Sequence, residues 1–308
     1  MSADGARVPP TGEQFEISHG IHHAVVVEVG GGLRRYAVDG RDVLDGYAVD
    51  EEASSGRGQV LAPWPNRIED GSYEFDGHSQ QLPLTEPERS NAIHGLVRWC
   101  AWTLGARDAD RVVMEHVIHP QPGYPFTVSL RVEYALSDTG LSVRTTATNL
   151  GSGACPYGCG QHPYLTLGTA KIDTLELRAP SGRVLVSDER SLPTGSRSVD
   201  GTAFDFRAGR TIGTTKLDNA FTDLARDDDG IACIELRDPE GGATVTLWLD
   251  QSYGYVMLFS GDTLVDVSRR SLAVEPMTCP PNAFRTGEAL ILLEPGQSAT
   301  ATWGITPS

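Results

Sequence analysis

Five short segments of the 308-residue chain concentrate side chains able to move protons or hold hydroxyl groups. They are Pro63-Trp64-Pro65-Asn66-Arg67-Ile68, Asn91-Ala92-Ile93-His94-Gly95, Leu217-Asp218-Asn219-Ala220-Phe221, Gly160-Gln161-His162-Pro163-Tyr164, and Glu275-Pro276-Met277-Thr278-Cys279-Pro280-Pro281-Asn282. A carboxylate is a natural base, and an imidazole changes protonation state around neutrality. His162 and Glu275 each precede a proline. That context pushes the residue out of the helical region and stiffens its mount, which suits a catalytic side chain but also marks ordinary loops of a proline-rich β protein.

Other constellations are weaker. Cys159 lies three residues before His162 and invites a thiolate–imidazole reading, yet a small buried cysteine is the preferred one. His22/His23 and His116/His119 are placed on opposite strand faces, and no HExxH or Cys/His cluster is present, so no metal site is expected. Trp99, Trp102 and Trp248 are aromatic rings that could stack on a sugar, with core packing the default for each. Gly158-Cys159-Gly160 lacks a following helical pattern, and no dinucleotide fingerprint appears.

The elements that must position these residues read as strands. Phe126, Val128, Leu130, Val132, Tyr134 and Leu136 alternate with polar or small neighbours, a turn sequence follows at Ser137–Gly140, and Leu141, Val143, Thr145 and Ala147 resume the period. This predicts a long antiparallel hairpin. Tyr73 and Phe75 before Asp76-Gly77 predict another. Further strands are expected around 25–27, 33–38, 111–118, 172–178, 231–237, 244–250, 255–259, 289–293 and 299–305. With 34 glycines, 19 prolines and no 15-residue helical stripe, the expectation is an all-β sandwich or barrel. A loose tail is expected over 1–12 and a single domain over 13–308.

Composition removes several function classes. The net charge is −16, from 25 basic and 41 acidic side chains, which disfavours nucleic acid and anionic membranes as partners. Lys171 and Lys216 are the only lysines, and neither has a context suggesting Schiff-base chemistry. Five cysteines do not form a disulfide framework, the N-terminus has no apolar signal region, and no apolar run approaches a membrane span, so a cytoplasmic protein is expected.

Taken in order, the motifs NRI, NAIHG, QHPYL, LDNAF and EPMTCPPNAF resemble the aldose 1-epimerase (galactose mutarotase) family from about residue 15 to 306. The resemblance implies a large antiparallel β-sandwich of the galactose mutarotase-like supersandwich type, with a cleft across one concave sheet. It implies interconversion of the α and β anomers of a free aldose without metal or organic cofactor. By motif, Glu275 resembles the general base and His162 the general acid. His94 resembles a second histidine near the ring oxygen, and Arg67 and Asp218 resemble ligands of sugar hydroxyls. His94-Gly95-Leu96 lacks the second glycine common in galactose enzymes, and Gln161-His162-Pro163-Tyr164-Leu165 replaces their Asn-His-Ser/Thr-Tyr-Phe. These departures keep the acid/base set, point to a divergent branch and do not specify galactose. A related branch acts on hexose 6-phosphates with extra arginines, and Arg98 would be the residue to reach a phosphate. A sugar-binding protein without turnover and a glycosidase using Asp218 and Glu275 are the other readings.

Overall fold

The structure is a computed structural model that describes residues 8–308. Its largest element is a nine-stranded antiparallel sheet. In spatial order the strands are Thr103–Arg107, Arg111–Ile118, Val128–Ser137, Gly140–Asn149, Ser298–Pro307, Thr244–Leu249, Ala232–Arg237, Glu176–Arg178 and Arg210–Thr211. The predicted hairpin is its centre. Val128, Leu130, Val132, Tyr134 and Leu136 are all buried, and Tyr134 pairs with Val143 and Leu136 with Leu141. The predicted strand at 172–178 is shorter than expected, because Ile172–Thr174 forms a 3₁₀ turn before the strand Glu176–Arg178.

A second antiparallel sheet runs Pro193–Ser198, Ser181–Ser187, Asp218–Leu224, Tyr255–Phe259, Leu272–Met277, Gly160–Gln161 and Val60–Leu61, with Tyr164–Leu165 also pairing to Leu272–Met277. Side-chain alternation sorts its residues between two environments. Val256, Leu258, Leu272 and Val274 join the main apolar core, which also holds Val132, Tyr134, Leu247 and Ile305 of the larger sheet. The two sheets are therefore the layers of a sandwich. The opposite face of the second sheet carries a small separate cluster of Leu185, Ala220, Tyr255, Met257 and Met277. Glu275 shares the parity of Met277 and pairs across with Met257, so it stands on this outer face.

Gln14–His19, His22–Val27, Leu33–Val38 and Arg41–Asp42 form a four-stranded sheet. Of the expected tail, residues 1–7 lie outside the described residues. Thr11 is buried, and its carbonyl accepts the Val29 N–H at 3.0 Å. Among the described residues no helix is long and apolar enough to cross a membrane.

Candidate active site

His162 and Glu275 meet through strand register. Gly160 pairs with Met277 and Tyr164 pairs with Ala273 in one antiparallel alignment, which sets His162 opposite Glu275. Gln161, the intervening residue, points the other way into the sandwich. There it donates to Tyr134 Oη at 2.8 Å and accepts from Trp303 Nε1 at 3.3 Å. This buried amide fixes the orientation of the His162 backbone from behind. On the outer face His162 Nε2 lies 3.3 Å from Glu275 Oε1, with both side chains buried. Glu275 Oε2 and His162 Nδ1 are buried without a partner. Unmade hydrogen bonds in such surroundings are costly, and they cluster where a ligand completes them.

The first two motifs supply the adjoining wall. Arg67–Glu69 and Asn91–Ile93 pair as a two-stranded sheet. Beyond it Asn66 and His94, both at positive φ, bond reciprocally. The His94 N–H donates to the Asn66 carbonyl at 2.8 Å, and the Asn66 N–H donates to His94 Nδ1 at 3.2 Å. An Nδ1 that accepts leaves the neutral ring's proton on Nε2, so His94 is set as a donor. Gly95 is required next to it. It adopts φ 72°, and a Cβ there would lie 2.0 Å from the Ala62 carbonyl oxygen. The last motif locks onto the first, because the Asn282 N–H donates to the Arg67 carbonyl at 2.6 Å and its side-chain oxygen accepts from the Glu69 N–H at 3.0 Å.

These pieces enclose a cleft of about 490 Å³ lined by all five residues singled out from the sequence: Arg67, His94, His162, Asp218 and Glu275. That volume is in the range of small-molecule sites, ~300–1,000 Å³. A wider groove of about 680 Å³ runs past Arg34, Arg41, Thr166 and Arg270, but no imidazole lines it. Asp218 begins its strand opposite Phe259 and is exposed. Arg67 is held edge-on by Glu86, with Nε–Oε2 2.7 Å and Nη2–Oε1 2.9 Å.

Burial dominates the electrostatics. It pushes the His162 imidazole down to about 3, helped by the Arg98 charge and, more weakly, the Arg57 charge. It pushes His94 well below its usual range, again with Arg98 contributing. It raises the Glu275 carboxyl well above the ordinary carboxylate range; nearby Asp218 adds to the rise and Arg67 opposes it. Burial therefore favours one proton on the His162–Glu275 pair, carried by the carboxyl. The ligand atoms of His94, His162 and Glu275 all lie within 4.8 Å of one another, so this trio is also the place where a divalent cation would fit.

Glu86 and Gly56 carried no sequence signal, and Tyr164 was given no role within its motif. Glu86 shows its role only through its fork to Arg67. Tyr164 stacks on His162 at 4.9 Å between centroids and 7° between planes. Gly56 approaches so closely that a Cβ would be 2.6 Å from His162 Cδ2. Trp99 corrects the expectation of core packing. It is 57% exposed and stands at the cleft, whereas Trp102 is buried. Arg98 is not a plain surface charge, since it is half-buried in the cleft wall.

Residues 13–306 match the family model described as aldose 1-epimerase. Among curated proteins, YihR of Escherichia coli K12, itself uncharacterised, is 36% identical over 288 residues, or 93% of this chain and 91% of that protein. An aldose 1-epimerase of the same organism is 27% identical over 199 residues, or 58% of this chain and 53% of that protein. Solved structures agree in fold. A GalM/aldose epimerase homologue from C. elegans superposes with a TM-score of 0.87 at 19% identity, covering 96% of this chain and 98% of that one. A galactose 1-epimerase from Lactobacillus acidophilus NCFM gives 0.79 at 19% identity, covering 95% and 93%. Fold, motif order and these matches agree, and the chain belongs to the aldose 1-epimerase family.

Proposed function

We propose that the protein is a mutarotase that interconverts the anomers of a free, glucose- or galactose-like aldose in the cleft around Glu275 and His162. The observation that carries this reading is the buried 3.3 Å contact between their side chains, each with a second polar atom left without a partner. Mutarotation needs a base for the C1 hydroxyl proton and an acid for the ring oxygen. With the pair's proton on His162, the Glu275 carboxylate takes the hydroxyl proton while His162 protonates the ring oxygen. The C1–O5 bond breaks and C1 becomes an aldehyde. Glu275 is now protonated and His162 neutral, the distribution that burial favours. Rotation about C1–C2 followed by the reverse transfers closes the ring on the other face. Each group contributes ~10²–10⁴-fold. His94, with its donor edge free, bonds the ring-oxygen region, and Arg67 and Asp218 take sugar hydroxyls. No metal or organic cofactor enters this scheme.

A second reading is supported by Arg98. The neighbouring arginines of the site have carboxylate partners: Arg57 has Asp45, and Arg67 and Arg89 share Glu86. The recorded Arg98 bond is a 3.3 Å donation to the Ile93 carbonyl, and its Nε is buried without a partner. A hexose 6-phosphate would supply the missing anion. Polarimetry of freshly dissolved α-D-glucose and α-D-galactose, then of the hexose 6-phosphates, decides between the two. Binding without acceleration of any of them would point to a sugar-binding protein, and release of reducing sugar from oligosaccharides to a glycosidase.

A further inference from the structure

Against one face of His162 lies a stack that the proposed reaction does not use. The Tyr164 ring lies parallel to the imidazole at 4.9 Å, and the Arg57 guanidinium carbon sits 4.5 Å from the centre of the Tyr164 ring. Arg57 is almost wholly buried and pairs with Asp45 at 3.2 Å. Asp45 is held in turn by Arg270 Nη2 at 2.7 Å and Ser271 Oγ at 2.7 Å. The same loop grips the surrounding backbone. The Tyr164 hydroxyl donates to the Ser55 carbonyl at 2.9 Å, the Gly58 N–H donates to the His162 carbonyl at 2.9 Å, and the His162 N–H donates to the Gln59 carbonyl at 3.2 Å.

A buried ion pair is a poor source of stability, because desolvation offsets its attraction and apolar residues of similar volume often do as well. Its placement here has a use nonetheless. An imidazole swings about two side-chain torsions, and a parallel aromatic plane on one face, with the His94 ring at 5.4 Å between centroids and 67° between planes, restricts that swing. A guanidinium over the tyrosine ring pins that plane through cation–π attraction and holds a positive charge near the imidazole. We infer that Arg57 and Tyr164 are positioning residues for His162: the Asp45–Arg57–Tyr164 stack fixes the imidazole plane against Glu275. This inference rests on the reading of His162 as the proton carrier. The charged and titratable groups facing His162 are Glu275 from one strand, His94 and Arg98 from the segment after Ile93, and Arg57 and Tyr164 from the stack; Arg67 and Asp218 act on Glu275.

Four variants test it: Tyr164→Phe, Tyr164→Leu, Arg57→Lys and Arg57→Met, with folding followed by near-ultraviolet circular dichroism. Two readouts are used. The first is the kcat and KM of mutarotation. The second is the NMR titration of the His162 imidazole in sugar-free protein, assigned by its absence in His162→Asn, which stands whether or not sugar is turned over. Tyr164→Phe retains the ring and should stay within about threefold of wild type, while Tyr164→Leu should lose about 10–10²-fold in kcat with KM little changed, as a misplaced group does. Arg57→Met should move the His162 midpoint upward, towards the ordinary imidazole value. Arg57→Lys keeps the charge and should move it less, and it carries the charge test if the methionine variant does not fold. An unmoved His162 midpoint in Arg57→Met together with undiminished kcat in folded Tyr164→Leu would overturn the inference, as would equal losses in Tyr164→Phe and Tyr164→Leu. Absence of turnover in wild type would sink the mutarotase reading and leave the titration to judge the stack.

Discussion

Replacing Gly56 by alanine should damage mutarotation without replacing a group that transfers protons. Gly56 has φ 76°, and an added Cβ would lie 2.6 Å from His162 Cδ2 and 3.2 Å from its Cγ and Nε2. Carbon atoms rest at ~3.5–4.0 Å, so the imidazole or the loop must yield by about 1 Å. The loop is tied to His162 by two backbone hydrogen bonds, which leaves ring displacement as the easier response. The 3.3 Å approach of Nε2 to Glu275 is then lost or misaimed. A displacement of ~1 Å at a reacting group costs about 10²-fold in kcat. The left-handed backbone adds ~1–2 kcal/mol of destabilisation for a residue with a side chain. Gly77→Ala is the matched control, because Gly77 has φ 73° in the hairpin turn but no atom within 4 Å of the added Cβ. Both variants should lose similar stability in urea unfolding, and only Gly56→Ala should lose kcat by polarimetry. Equal kcat in the two variants would refute the claim that this loop sets the imidazole's position.

Glu275→Gln should abolish mutarotation while sugar still binds. Its stability should also differ from wild type in a pH-dependent way. The folded-state pKa of Glu275 is raised, so the stabilising contribution of its neutral form is present below the unfolded value and lost as pH rises through the folded one. The variant should therefore gain on wild type in thermal midpoint as the solution becomes more alkaline, and a gap that shrinks with pH would contradict the assignment. Asp218→Asn should raise KM with little change in urea midpoint, since the exposed carboxylate makes no side-chain hydrogen bond among the described residues. Glu86→Ala strands the buried Arg67 guanidinium and should cost ~3–5 kcal/mol in urea unfolding. Dialysis against EDTA should leave mutarotation unchanged, and a loss restored by a divalent cation would assign the His94–His162–Glu275 trio to a metal instead.

Much of this arrangement was legible in the sequence, for identifiable reasons. Period-two alternation is a local consequence of strand geometry, so the hairpin of Val128–Ser137 and Gly140–Asn149 could be read directly. Motif order singles out five residues, and one cleft contains them all. The register that sets His162 opposite Glu275 was not legible, because it depends on pairings between strands more than 100 residues apart. Glu86 and Gly56 were missed for the same reason. A glutamate and a glycine are common in loops, and nothing near them in the chain announces Arg67 or His162. Trp99 was misplaced because a large aromatic is buried by default, whereas here it follows His94 and Arg98 to the mouth of the cleft.

The central claim is that Glu275 and His162 act as a pair holding one proton, and the pH dependence of mutarotation measured from about pH 4 to 10 tests it most directly. As pH falls through the lowered His162 value the pair gains a second proton and has no base; as pH rises through the raised Glu275 value it loses its last proton and has no acid. The account predicts a plateau in kcat/KM that runs well below the ordinary imidazole value of ~6.5 and well above the ordinary carboxylate value of ~4.3. An acid limb near that imidazole value, or no acceleration at any pH with any of the sugars, would contradict it.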